Sequence, residues 1–143
     1  MSIDQRILTG GCACGAVRFE TRGDPLRIGL CHCMTCRKAH GATFNPFIVF
    51  PRDRFKLEGE LKHWESTPGL SRDFCAICGS PIVMLSEGEA ELSLGSFDDV
   101  SLFNPQYETW TPHREAWLRP LDVSQFAENR VPAAISPARW CKT

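Results

Sequence analysis

Short stretches of alternating apolar and polar residues, and short apolar runs, recur along this chain with turn residues between them. Ala16-Val17-Arg18-Phe19-Glu20 and Glu91 to Leu94 show the alternation most plainly, the mark of strands with one buried face. The same reasoning predicts strands at Arg6 to Leu8, Arg27 to Leu30, Ser71 to Phe74, Pro81 to Leu85 and Tyr107 to Thr111. Ala42 to Phe50 is rich in Phe, Ile and Val and reads as a strand, with Pro46 pointing to an edge position or a bulge. Phe55 to Leu57 and Leu61 to Ser66 read as a hairpin around Glu58-Gly59-Glu60. Only residues 34 to 40 suit one or two helical turns, which Gly41 ends. Trp117-Leu118 is expected to pack onto the core, and the chain from Asp122 onward to form a loosely packed tail broken at Pro132 and Pro137. Many short strands, frequent turns and little helix predict a mainly β fold.

Composition narrows the function more than the fold. A chain of 143 residues, 43% of them hydrophobic, fits one domain over 1–143 that can bury a core without relying on a metal alone. The net charge is −1, and no basic run is longer than Arg37-Lys38. Neither nucleic acid nor an anionic membrane surface is therefore an expected partner. No apolar run approaches the ~20 residues of a membrane span. Met1-Ser2-Ile3-Asp4-Gln5-Arg6 lacks the basic-then-apolar pattern of a signal peptide, so the expected location is the cytoplasm.

The eight cysteines change the picture. In a reducing compartment disulfides are rare, and cysteines spaced C-x-C, C-x-C-x2-C and C-x2-C read as metal ligands. Seven fall into three groups: Cys12 with Cys14; Cys31, Cys33 and Cys36; Cys75 with Cys78. A C-x2-C turn followed by glycine, as in Cys75-Ala76-Ile77-Cys78-Gly79, brings two sulfurs to one ion. A C-x-C segment also serves one ion. Cys12, Cys14, Cys75 and Cys78 make a complete tetrahedral set for zinc, which would close a long loop and do a structural job. Cys31, Cys33 and Cys36 fill three positions and leave a fourth for water or substrate, the arrangement of a catalytic zinc. Three thiolates quench a divalent ion less than four do, so the second ion remains the better Lewis acid. Its softness favours an incoming thiolate, which points to a thiol or thiol adduct as substrate. Arg37 and Lys38 are placed to pair with carboxylates on that substrate.

Three alternatives stand beside this reading. Cys141 can complete a second closed site with the central cysteines. An iron–sulfur cluster also takes four cysteines. Cys75 and Cys78 can join two of the central cysteines instead of Cys12 and Cys14.

Three blocks of residues carry a family resemblance: Gly11-Cys12-Ala13-Cys14-Gly15-Ala16-Val17-Arg18-Phe19, Cys31-His32-Cys33-Met34-Thr35-Cys36-Arg37-Lys38, and Phe74-Cys75-Ala76-Ile77-Cys78-Gly79-Ser80-Pro81. Through them the chain resembles the glutathione-dependent formaldehyde-activating enzymes, which share a domain with centromere protein V. Leu94-Gly95-Ser96-Phe97-Asp98-Asp99, Trp110 and Trp117-Leu118 add weaker support, and the likeness runs over residues 8–126. It implies a mainly β, Mss4-like fold of short antiparallel strands around zinc. It implies two zinc ions: a structural one on Cys12, Cys14, Cys75 and Cys78, and a catalytic one on Cys31, Cys33 and Cys36. The implied activity joins formaldehyde to the glutathione thiol or cleaves that carbon–sulfur bond. Two positions before Trp110, where family members often carry histidine, this chain has Glu108.

The leading expectation is thus a zinc-dependent carbon–sulfur lyase or synthase acting on a thiol adduct such as S-hydroxymethylglutathione. A non-catalytic zinc-binding interaction module is the alternative, and metal-free thiol chemistry at Cys31, Cys33 and Cys36 a third. Among single residues, His32 is expected to point away from the metal, towards a supporting or surface position. His40, four residues after Cys36, is either an acid/base or fourth-ligand candidate or a plain helix end. His63 and His113 read as surface residues, Asp98 and Asp99 as turn formers. Ser80 has no base at a readable spacing and is not expected to be a nucleophile.

Overall fold

The computed structural model describes residues 6–130. Its strands, in chain order, are β1 (Ile7–Gly11), β2 (Arg18–Arg22), β3 (Arg27–Cys31), β4 (Asn45–Pro51), β5 (Phe55–Glu58), β6 (Leu61–Thr67), β7 (Leu70–Cys75), β8 (Pro81–Leu85), β9 (Glu89–Ser93), β10 (Tyr107–Thr109) and β11 (Ser124–Gln125). One helix, α1 (Met34–His40), follows β3. The mainly β class expected from the alternation is what forms. The strands make a three-stranded sheet in the order β1-β2-β5 and an eight-stranded sheet in the order β11-β10-β3-β4-β9-β8-β7-β6. Pairing is antiparallel except where β10 joins β3 and β11 joins β10 in parallel.

One buried cluster joins the two sheets. Leu8, Val17 and Phe19 of the smaller sheet and the turn before it meet Ile28, Ile48, Phe50, Ile82, Val83, Ala90 and Leu92 of the larger. Phe97 closes the cluster, with its ring edge-on to Phe19 at 5.1 Å between centroids. Gly10 permits this closure, since a Cβ there would lie 2.3 Å from the Ser96 carbonyl oxygen and 2.4 Å from the Phe19 ring.

β4 explains how the same sheet serves two jobs. Its apolar run is buried on both faces, as central strands require. Ile48 and Phe50 point into the inter-sheet core, while Phe47 and Val49 join Cys31, Cys33, Cys36 and Tyr107 on the opposite face. That second face carries the candidate chemistry.

Four local expectations are corrected. β4 is central, not an edge; Pro46 is tolerated because it pairs with Leu30 on a stretch that runs past the end of β9. β5 and β6 are not a hairpin. β5 pairs with β2 and β6 with β7, so the chain changes sheet at Glu58-Gly59-Glu60. Gly59 takes φ 111 there, with the backbone of Ala16 and Val17 packed against it. Trp117 does not pack onto the core but is 69% exposed. The chain after Asp122 is tied down as far as residue 130: β11 pairs with β10, and Phe126 packs edge-on to Tyr107. Pro132, Pro137 and Cys141 lie outside the described residues.

Candidate metal centres and the adjoining cavity

Two tight turns bring Cys12, Cys14, Cys75 and Cys78 together. Gly15 at φ 83 and Gly79 at φ 78 supply left-handed conformations that favour glycine. The turns are closed by Gly15 N–H donating to the Cys12 carbonyl (3.2 Å) and Gly79 N–H to the Cys75 carbonyl (3.0 Å). Ala13 N–H donates to Ser80 Oγ at 3.1 Å and locks one turn to the other. The four sulfurs all lie within 4.8 Å of one another, with Cys12–Cys14 at 3.5 Å and Cys14–Cys75 at 3.8 Å. A tetrahedron with Zn–S bonds of ~2.3 Å has sulfur–sulfur edges of about 3.8 Å.

Chemistry as well as spacing fits a cation. Val17 N–H donates to Cys12 Sγ (3.1 Å), and the N–H groups of Ile77 and Cys78 donate to Cys75 Sγ (both 3.4 Å). Such donors stabilise thiolates. Hydrogen bonds from Ser80 pull the Cys78 thiol down to about 5. Cys14 has a favouring contact from Ala16 N–H, yet its sulfur neighbours, Cys12 foremost, push it up to about 11. Four sulfurs this close resist collective ionisation until a positive ion sits among them.

The second cluster is built at the junction of β3 and α1. Cys31 ends β3, Cys33 caps α1, and Cys36 lies in its first turn. Cys33 Sγ accepts from Cys36 N–H at 3.2 Å, and Cys31 Sγ from Cys33 N–H at 3.5 Å. Gly41, at φ 60, ends the helix as expected. The three sulfurs lie within 4.8 Å of one another and are all buried. Among the described residues no fourth His, Cys, Asp or Glu belongs to this group. Arg72 Nη2 points at Cys36 Sγ from 3.7 Å.

His32, between two of these cysteines, is fully buried. Its Nε2 lies 2.8 Å from Oε1 of Glu108, itself 1% exposed. Glu108 Oε2 accepts from Gln125 Nε2 (2.7 Å), Leu121 N–H (2.9 Å) and Arg114 Nη2 (3.4 Å). Burial pushes the Glu108 carboxyl up, but the hydrogen bonds from Gln125, His32 and Leu121 and the charge of Arg114 hold it below the usual range. The segment after β10 is thereby fastened to the three-cysteine loop. Of the two positions expected for His32, the supporting one is occupied and the surface one is not.

Arg37 is engaged within the chain. It donates to the carbonyls of Thr43 and His113 (both 3.3 Å) and to Glu115 Oε1 (2.7 Å). Lys38 is exposed. His63 is exposed as expected, whereas His113 is half-buried and stacks on Trp110. Asp98 pairs with Arg18 and accepts from Thr9 Oγ1 at 2.6 Å.

Reasoning on spacing missed Arg72 and Glu91. Both are buried, and both line a cavity of about 230 Å³ with His40, Asn45 and Trp64. A second, more open cleft of about 610 Å³ shares His40, Asn45, Pro81 and Ser93 with it and reaches Cys12 and Arg18. The cross-strand row Trp64, Arg72, Met84, Glu91, Val49, Arg27 lies on one face of the larger sheet. A paired charge in place of an apolar residue on a covered strand was the signal available, but nothing in the alternation said that this face is covered.

Residues 7–113 match the family model described as "Glutathione-dependent formaldehyde-activating enzyme". The fold is similar to that of a Rhodobacter sphaeroides protein of known crystal structure, with TM-score 0.54 and 20% identity over 68% of this chain and 92% of that one. At that identity the likeness concerns the fold alone.

Proposed function

From the premise that the chain belongs to the glutathione-dependent formaldehyde-activating enzyme family, we propose that it is a zinc-dependent carbon–sulfur lyase or synthase acting on a thiol adduct. S-hydroxymethylglutathione is the first substrate to test. Cys12, Cys14, Cys75 and Cys78 hold a structural zinc; Cys31, Cys33 and Cys36 hold a catalytic one. The observation that carries the reading is the second cluster: three sulfurs gathered by β3 and α1, one short of a tetrahedral set, with Arg72 reaching from Cys36 to a nearby cavity.

Zinc bound there supplies a soft Lewis acid that favours sulfur as thiolate. The chain's own residues do the rest. Backbone N–H groups of Cys33 and Cys36 donate to the sulfurs of Cys31 and Cys33 and orient them. Arg72, beside Cys36, offsets their negative charge and leaves room for one more anionic sulfur. Burial of all three cysteines excludes water, which would otherwise compete for the substrate's place. In cleavage the carbon–sulfur bond breaks with its electron pair on sulfur, the hydroxyl proton departs, and formaldehyde leaves. Synthesis runs the same steps in reverse.

The burial of all three sulfurs also favours a second reading, a closed site in a non-catalytic module, with Cys141 as fourth ligand. Zinc per chain separates the two. Two zinc ions in the wild type, one in Cys33→Ser and two in Cys141→Ser, with carbon–sulfur turnover lost only in Cys33→Ser, is the expected result. Loss of the second zinc in Cys141→Ser, or unchanged turnover of a panel of thiol adducts in Cys33→Ser, refutes the proposal.

A further inference from the structure

Glu91 is a buried acid with one carboxylate oxygen left unmet among the described residues. It sits on β9 between Ala90 and Leu92, two residues of the inter-sheet core, and faces the other way. It is 8% exposed, it lines the 230 Å³ cavity, and its Oε2 has no hydrogen-bond partner among the described residues. A buried carboxyl with an unmet oxygen costs stability unless something else uses it.

Its surroundings indicate what that is. Glu91 pairs across the sheet with Val49, which packs in the same cluster as Cys31, Cys33 and Cys36. Arg72, on the same row, lines the same cavity and reaches Cys36 Sγ. Arg72 therefore links the cavity wall to Cys36, with Glu91 on the same wall and His40 shared with the larger cleft. Resting on the carbon–sulfur reading above, we infer that Glu91 is the catalytic acid/base: it handles the proton of the hydroxyl on the carbon that bonds to sulfur. In cleavage the Glu91 carboxylate takes the O–H proton, the O–H electron pair left on oxygen forms the second carbon–oxygen bond of formaldehyde, and the C–S pair leaves with sulfur. In synthesis thiolate sulfur adds to the carbonyl carbon and the Glu91 carboxylic acid returns the proton to oxygen.

The electrostatics suit both directions. Burial, and then the charges of Cys36 and Glu89, push the Glu91 carboxyl up to about 8, against the opposing pull of Arg72 and Arg27. A group poised near neutrality is the most effective proton carrier there. His40 is held below its usual value by burial and by Arg72, against the pull of Cys36, so it is the competing base. Asp73 is the remaining ionisable group on the cavity wall.

The test uses zinc-loaded full-length protein. Wild-type turnover of S-hydroxymethylglutathione is the reference; if no thiol adduct is turned over, the proposed function has failed before Glu91 is at issue. Given wild-type turnover, Glu91→Gln is expected to lose about 100-fold or more in kcat, with KM and zinc content kept. Glu91→Asp retains a titrating limb in the pH profile that Glu91→Gln lacks. A readout without turnover is calorimetric binding of the inert analogues S-(2-hydroxyethyl)glutathione and S-ethylglutathione. Wild type is expected to prefer the hydroxyl-bearing one by about tenfold, a preference that Glu91→Leu abolishes. The assignment is overturned if Glu91→Gln keeps kcat within a few-fold, if it loses zinc, or if His40→Gln alone takes the loss in kcat.

Discussion

Replacing Glu108 with alanine is expected to unfasten the segment after β10 from the three-cysteine loop. The carboxylate sits 1% exposed, with His32, Leu121, Gln125 and Arg114 around it. Gln125 is exposed, so it recovers water when the acceptor goes. His32 Nε2 is fully buried and finds no substitute, whereas Leu121 is 42% exposed and its N–H recovers water. An unmet buried group costs about 1–3 kcal/mol, so with the lost packing the change should cost about 2–4 kcal/mol. Glu108→Gln keeps the shape and one acceptor oxygen, and should cost about 1–2 kcal/mol. The assay is urea unfolding of zinc-loaded protein at neutral pH, with limited proteolysis to locate the first opening. Cleavage in Glu108→Ala should appear first between residues 111 and 128, while the inter-sheet core stays protected. A loss below 1 kcal/mol, or first cleavage elsewhere, would mean that the carboxylate does not hold this segment.

Gly10→Ala should lower stability by about 1–3 kcal/mol or more in the same assay, because its Cβ would strike the Ser96 carbonyl and the Phe19 ring. Trp117→Ala should change stability by less than about 0.5 kcal/mol, since the ring is largely exposed. Glu91→Gln should be more stable than wild type, and increasingly so towards alkaline pH. The native carboxyl titrates above its unfolded value, so the wild type bears a penalty that is absent below about pH 4.3 and grows until about pH 8. The gap in unfolding free energy should widen by roughly 3 kcal/mol between pH 6 and pH 9, and a constant gap would contradict the burial of Glu91. Cys12→Ser, which removes a ligand of the proposed structural zinc, should lower the thermal midpoint more than Cys33→Ser does, because the four-cysteine cluster joins the end of β1 to the end of β7 across a long loop.

That Cys12 and Cys14 meet Cys75 and Cys78, and not the central cysteines, is decided by the fold. The mainly β class, helix α1, strand β8 and the three separate cysteine turns, in contrast, were legible in the residues alone. Each is a local pattern: period-two alternation, a short stretch of good helix formers stopped by Gly41, and C-x-C and C-x2-C spacings whose geometry hardly depends on the rest of the chain. What local pattern does not encode is which strands become neighbours and which sheet face is covered. Phe55 to Leu57 and Leu61 to Ser66 look like a hairpin, yet Gly59 sends them to different sheets. Nothing in the residues says which face of β7 and β9 is covered, yet Arg72 and Glu91 are both buried. Glu108 is a lone acid in sequence and the partner of His32 in space, because β10 lies beside β3. Ligand spacing is set by the backbone over a few residues. The acids and bases around the ligands are recruited from strands far away in the chain, and only long-range pairing decides which of them arrive.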